Sequence, residues 1–338
     1  APADDALAAA AAAMTMPFVP QALQLSLLTG LCDALQPLAN SAAVPPPNGA
    51  DADGDDDDDD EADGEAAEAQ VALLSLAAGL LSRGSSVLAA GSRSPPAALQ
   101  LLRVLVLCSG HRRRRVCEAL IASEVWTGER SLLRVAAGWA GEADLSAQLR
   151  DTLGATLRAR AALPGDSTLA RWGAADVEEW TTFRDSYLSE PLAELARADA
   201  VASVRHALEQ LSLRAAMVDT TGDGQADTIV PKAAAPWQPL EASLFAVEAA
   251  AEVVLSRVLA AGGVGVGAAA AVAAAAAGNG AGTTAGEGAA LRAALPELLR
   301  GVLSAAADAP GSAVGASMLA AARCRLLGAL SPFFAADP

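Results

Sequence analysis

Aromatic side chains are scarce in this chain: one tyrosine, five phenylalanines and five tryptophans in 338 residues, with isoleucine almost absent. Strand formers are therefore too few for a large sheet. Histidine is scarcer still, with His111 and His206 the two present. Neither is supported by a serine, cysteine or carboxylate arrangement that would make a nucleophile and base pair. No P-loop occurs, and GGVGVG at 262–267 follows a helical pattern rather than a strand, which defeats a dinucleotide reading. Together these absences predict a binding protein rather than an enzyme, with no catalytic residue, cofactor or metal.

Four cysteines, Cys32, Cys108, Cys117 and Cys324, sit singly in apolar helical patterns. They lack the density of a disulfide scaffold, which points to a reducing compartment. The opening APADDALAAAAAAM has no basic n-region, so it is not expected to be a signal peptide, and the chain is expected to be a piece of a longer one. The uncharged stretch 263–282 has the length of a membrane span but lacks leucine, isoleucine and phenylalanine and is broken by glycine. A flexible linker is the expectation, with no membrane insertion.

What is present is leucine and alanine, which lose little rotamer freedom in helices. The alanine runs themselves carry little weight, since a coding bias of the source explains part of them. Four stripes repeat at alternating steps of three and four, the signature of one helix face. They are Leu240, Leu244, Val247, Ala251, Val254, Val258; Val201, Val204, Leu208, Leu211, Ala215; Leu291, Leu295, Leu298, Val302; and Leu319, Ala322, Leu326, Leu330, Phe333. Segment 99–107, LQLLRVLVL, is apolar nearly all round and predicts a helix covered on most sides.

The expected fold class is all-α, a solenoid of antiparallel helical hairpins of the HEAT or armadillo kind. Its organisation is an N-terminal helical segment at 1–45, an acidic insertion at 46–69, and repeats over 70–338 with loop insertions at 218–236 and 261–288. Twelve carboxylates and no base lie in 51–68, so the net charge of −17 falls to −5 over the rest. Such a run is expected to be a solvated insertion; attraction of basic clients is the other reading.

Three clusters hint at chemistry. In VDTTGDGQADTIV, 218–230, Asp219, Thr221, Asp223 and Asp227 fall at positions 1, 3, 5 and 9 of a calcium loop, with Gly224 at 6 and Gln225 at 7. Position 12 is Val230 where the loop needs a bidentate glutamate, and Pro231 follows, so a plain Asp/Gly turn competes with weak calcium binding. Cys108, His111 and Cys117 invite zinc, but the C-x2-H-x5-C spacing matches no usual site and a fourth ligand is not in sight. Two packed cysteines and a turn histidine are expected instead. His111 to Arg115 is a basic run opening a helix with Val116, Leu120 and Ile121 buried. It opposes the helix dipole, so it is not there for helix stability. It is either a solvated cap or a phosphate or acid partner, and without interleaved aromatics it is not expected to bind nucleic acid directly.

Three segments in order resemble the middle of a nuclear transport receptor, or karyopherin, of the importin-β superfamily, in the transportin-SR and importin-thirteen branch. The first is LLRVLVLCSGHRRRRVCEALIASEVW, 101–126, with its C-x-G-H turn. VEEWTTFRDSYLSEPLAEL, 177–195, is similar to an acidic stretch followed by a Phe183-Arg184 pair that opens a long helix. PWQPLEASLFAVEAAAEVV, 236–254, carries a tryptophan, then Glu241 to Phe245, then a second Glu-Ala. The closing RCRLLGALSPFF also resembles a repeat helix of the branch. The resemblance covers about 70–338 and departs from the family at the acidic insertion, the Asp/Gly loop and the Ala/Gly linker. It implies a HEAT-repeat receptor that shuttles between nucleus and cytoplasm and binds protein cargo, Arg-Ser-rich splicing factors in this branch. Ran GTPase and Phe-Gly nucleoporins are the other implied partners. Most of the family's Ran contact lies in N-terminal repeats, so no Ran-contact or cargo-contact residue is assigned here. A non-transport HEAT scaffold for complex assembly fits composition and periodicity equally.

Overall fold

The computed structural model of the chain describes residues 21–42, 71–72, 74, 96–111, 114–122, 125–127, 131, 133, 143–219, 237–261, 284–304 and 313–336. All regular secondary structure among them is helical. The chain divides into two compact units, Ala1–Arg160 and Ala161–Pro338. The acidic insertion, the Ala/Gly linker and the calcium-like loop beyond Asp219 lie outside the described residues.

In the first unit, α1 (Gln21–Ala42) packs against α2 (Pro96–Cys108). Leu31, Cys32, Leu35 and Ala39 of α1 are buried. Helix α2 buries Leu101, Leu102, Val104, Leu105, Val106 and Cys108 and exposes Arg103. That is the all-round covering its composition predicts. It stops in a Ser-Gly turn, where the Gly110 N–H donates to Leu107 O and the His111 N–H to Cys108 O, both at 3.0 Å. Helix α3 (Arg114–Ala122) buries Val116, Cys117, Leu120 and Ile121, as the pattern requires. Helix α4 (Ala143–Ala161) contributes Leu149, Leu153 and Leu157 at steps of four.

A Cβ built on Gly110 would stand 2.7 Å from Thr156 Cγ2 on α4. Threonine is branched at Cβ and cannot swing that methyl aside freely. Gly110→Ala is therefore expected to lower stability by about 1–3 kcal/mol through overpacking, measured as a shift in urea midpoint.

The second unit begins with the short helix α5 (Asp166–Leu169) and a long helical rod in three parts: α6 (Ala174–Phe183), a π turn π1 (Arg184–Leu188) and α7 (Ser189–Ala198). Asp176 starts the rod by accepting a bond from the Gly173 N–H at 2.7 Å, one of the donors a helix start leaves open. The π turn has a sequence cause. Phe183 and Leu188 are both fully buried yet five residues apart, and five is the step that a wider π turn, not an α turn, brings to one face. Pro191, which lacks an N–H, lies just beyond, where an unbroken α ladder would meet its ring.

Helix α8 (Ala200–Asp219) follows, then α9 (Gln238–Ala249) and α10 (Ala251–Ala261), α11 (Thr284–Ser304), α12 (Ala313–Ala329) and α13 (Ser331–Ala336). The stripes read from the sequence become the core. Leu240, Leu244, Val247, Val254, Val258, Leu291, Leu295, Leu298, Val302, Leu319, Leu326 and Leu330 lie in one apolar cluster. Two of the stripes span two helices rather than one. The first breaks at Ala250, with φ −90° and ψ 0°; the last breaks at Leu330.

Neighbour pairs set the directions. Arg184 meets Glu241 while Arg197 meets Arg257 further along both elements, so the rod and α9–α10 run parallel. Ala200 meets Glu287, and Leu211 lies against Gly301, so α8 and α11 run parallel as well. Helix α9 packs on α12 and α10 on α13, in the same sense.

Candidate functional site

Two of the three segments that carry the family resemblance meet in one buried cluster of the second unit. Arg184 opens π1, and its Nη1 donates to Glu241 Oε1 on α9 at 2.9 Å. Its guanidinium carbon stands 4.1 Å from the centre of the Phe245 ring, one helical turn on. Arg184 is 5% and Glu241 1% exposed, so the pair is removed from water. From α12, Arg325 brings Nη2 within 3.7 Å of the same Glu241 oxygen and bonds Glu248 Oε2 through Nε at 3.2 Å. The cluster thus links the rod, α9 and α12.

The pairing is incomplete. Arg184 Nε and Nη2 and Glu241 Oε2 are buried without hydrogen-bond partners among the described residues. Burial pushes the Glu241 carboxyl above its ordinary range, against the opposing pull of Arg184 and Arg325. Glu248 is raised too, by burial first, with Arg325 opposing. Desolvation outweighing attraction is the usual balance for an ion pair buried this deeply. An aromatic ladder flanks the site: Trp172 to Trp180 at 5.7 Å, Trp180 to Phe183 at 5.6 Å, and Phe183 to Tyr187 at 6.0 Å between ring centres.

The resemblance places Phe183-Arg184 at the opening of a helix. The structure corrects this, since the helix opens at Ala174 and the pair sits mid-rod at the α-to-π junction. Trp237, the tryptophan of the third segment, is buried and donates from Nε1 to Asp166 Oδ1 at 2.8 Å, tying α9 to α5. Sequence reading missed Arg325 and a second cluster centred on Glu287. Glu287 Oε1 accepts from the Ala200 N–H at 3.1 Å and from Arg257, and Arg257 also donates to Arg197 O. With Asp199 Oδ1 accepting from the Ala202 N–H at 2.9 Å, the start of α8 is capped twice. These partners lie tens of residues apart, so no local pattern signals them.

In the first unit, Cys108, His111 and Cys117 are buried, and no metal-holding group of His, Cys, Asp and Glu occurs among the described residues. Cys117 belongs to a knot around Ser109. The Cys117 thiol donates to Ser109 O at 2.9 Å, the Ser109 hydroxyl donates to Leu105 O at 2.9 Å, and Trp126 Nε1 donates to Ser109 Oγ at 3.0 Å. Burial pushes the Cys108 thiol up to about 12 and the Cys117 thiol up to about 11, the latter against nearby Arg160. The thiolate is the reactive form, so at pH 8 a thiol reagent is expected to label exposed Cys324 at once and Cys108 and Cys117 only after denaturant is added. Rapid labelling of three or more thiols in the native protein would contradict this packing.

Arg112 and Arg113 of the basic run lie outside the described residues, as does the calcium-like loop after Asp219, which is the last residue of α8. His206 Nδ1 lies 3.8 Å from Glu209 Oε2 on the same helix. No described helix is long and apolar enough to cross a membrane. No known protein family, curated protein or solved structure matches the chain.

Proposed function

We propose that this chain is a protein-binding helical array, and specifically part of a nuclear transport receptor of the importin-β type that carries protein cargo. The observation that carries this reading is the Arg184–Glu241–Phe245 cluster. Residues from two separate resembling segments, Phe183-Arg184 and Glu241 to Phe245, are packing partners across one helix seam. That is what motifs of a repeat interface do, and it supports a structural role for both.

The parallel run of the rod with α9–α10, and of α8 with α11, supports a solenoid of hairpins in the second unit. In such a solenoid each unit rests on equivalent helices of the next, and small rotations per repeat build an adjustable groove. The spacing of partners, 57 and 60 residues along one seam and 87 along the other, exceeds a plain repeat because residues 220–236 and 262–283, outside the described ones, lie between them in the chain.

Calorimetric titration of an Arg-Ser-rich peptide into the full chain tests the cargo class. Saturable heat at low salt that weakens at higher salt is expected for a basic cargo on an acidic receptor. Absence of heat at both salt concentrations sinks the assignment to this branch and leaves a HEAT scaffold of another kind.

A further inference from the structure

We propose that the exposed face of α11 is a self-association surface whose occupant is α11 of a second copy, packed antiparallel about a two-fold axis. This goes beyond the cargo reading and does not depend on it. The observation is an open groove at the end of the second unit, about 740 Å³, lined by Pro296, Leu299, Arg300, Leu303, Phe333 and Phe334. Two of its walls project apolar side chains into solvent: Leu303 is 60% and Phe334 44% exposed. Lone exposed apolar residues need no explanation, but a pair beside an apolar recess marks an interaction site.

The pattern along α11 identifies the occupant. Its exposed face reads Ala293, Glu297, Arg300 and Leu303, at steps of three and four. Glu297 and Arg300 stand one turn apart, and neither engages a partner among the described residues. In an antiparallel pairing of two copies centred between Leu298 and Leu299, each Glu297 faces the other copy's Arg300. The same register brings each Leu303 toward the small side chain of exposed Ala293. Large meets small at both ends and acid meets base twice in the middle, so the face is complementary to itself, as a two-fold interface must be. Phe334 lines the recess beside Leu303, at the same end of α11.

An interface built on one helix pair lies at the small end of the range for specific contacts, so its dissociation constant is expected to be on the order of 100 µM. Sedimentation equilibrium of the full chain across that range is the test, with circular dichroism confirming that each variant is folded. The native chain is expected to pass from monomer toward dimer. Each two-fold contact is changed twice by one substitution, so Glu297→Arg or Arg300→Glu alone is expected to weaken the dimer about tenfold or more. The double reversal Glu297→Arg with Arg300→Glu restores the complementarity and is expected to return within about threefold of the native constant. Leu303→Asp is expected to leave only monomer. A native chain that stays monomeric at all concentrations overturns the proposal. So does a dimer indifferent to the single reversals, or a double reversal as weak as either single.

Discussion

Glu241→Leu alone is expected to lower the stability of the chain by about 3–5 kcal/mol, whereas Arg184→Met combined with Glu241→Leu is expected to recover most or all of that loss. The reason lies in how the pair is held. Removing Glu241 leaves the Arg184 guanidinium buried with no carboxylate and with Nε and Nη2 already unpaired. Replacing both partners by apolar side chains removes the buried charge and leaves a surface that packs against the Phe245 ring. Equilibrium denaturation of the two single variants and the double variant measures the coupling. Strict additivity would show that the two side chains do not interact.

The pH dependence of the same pair has a definite sign. The Glu241 carboxyl is raised in the folded chain relative to its ordinary value of 4.5. The folded state therefore holds the proton more readily than the unfolded state. The stability contributed by this group is full below 4.5 and is lost as pH rises through the folded value. Relative to Glu241→Gln, the native chain is expected to gain stability as pH falls from neutrality toward 4.5. A difference that shrinks over that interval would show that the pull of Arg184 and Arg325 on this buried carboxylate outweighs its desolvation.

Phe183→Ala is expected to lower stability by about 3–5 kcal/mol, the usual loss when a fully buried aromatic leaves a cavity. Phe183 has no exposed surface, and its ring lies between those of Trp180 and Tyr187. It also sets the π-turn register, since Phe183 and Leu188 share one face only across five residues. The exposed Thr182 beside it is the control: Thr182→Ala removes one hydroxyl bond to Glu178 O at 2.8 Å and is expected to change stability by less than about 1 kcal/mol. Thermal unfolding followed by circular dichroism separates the two outcomes.

Helix class and core were legible because burial leaves a periodic trace. Leu291, Leu295, Leu298 and Val302 show it, and all four are buried. The breaks at Ala250 and Leu330 were not legible, since the apolar step runs on through both and only the backbone turns. The π turn has a local trace in the five-residue gap between Phe183 and Leu188, with Pro191 shortly after, but that gap is no periodic pattern. The candidate site was legible as two motifs but not as one cluster. Arg184 and Glu241 stand 57 residues apart, and such a distance carries no periodic signal. Cys108 and Cys117 read correctly as packed thiols because their spacing fits no metal site, while the serine between them that organises the knot gave no sign in the sequence.

The most direct measurement is a pull-down on the full chain in low salt, with an Arg-Ser-rich peptide and Ran in its GTP form offered separately. The transport reading predicts that the chain retains the peptide, and that Ran-GTP is retained by the longer receptor whose N-terminal repeats carry most of that contact. If the chain retains neither, that reading is wrong, and the proposal of a non-transport HEAT scaffold stands in its place.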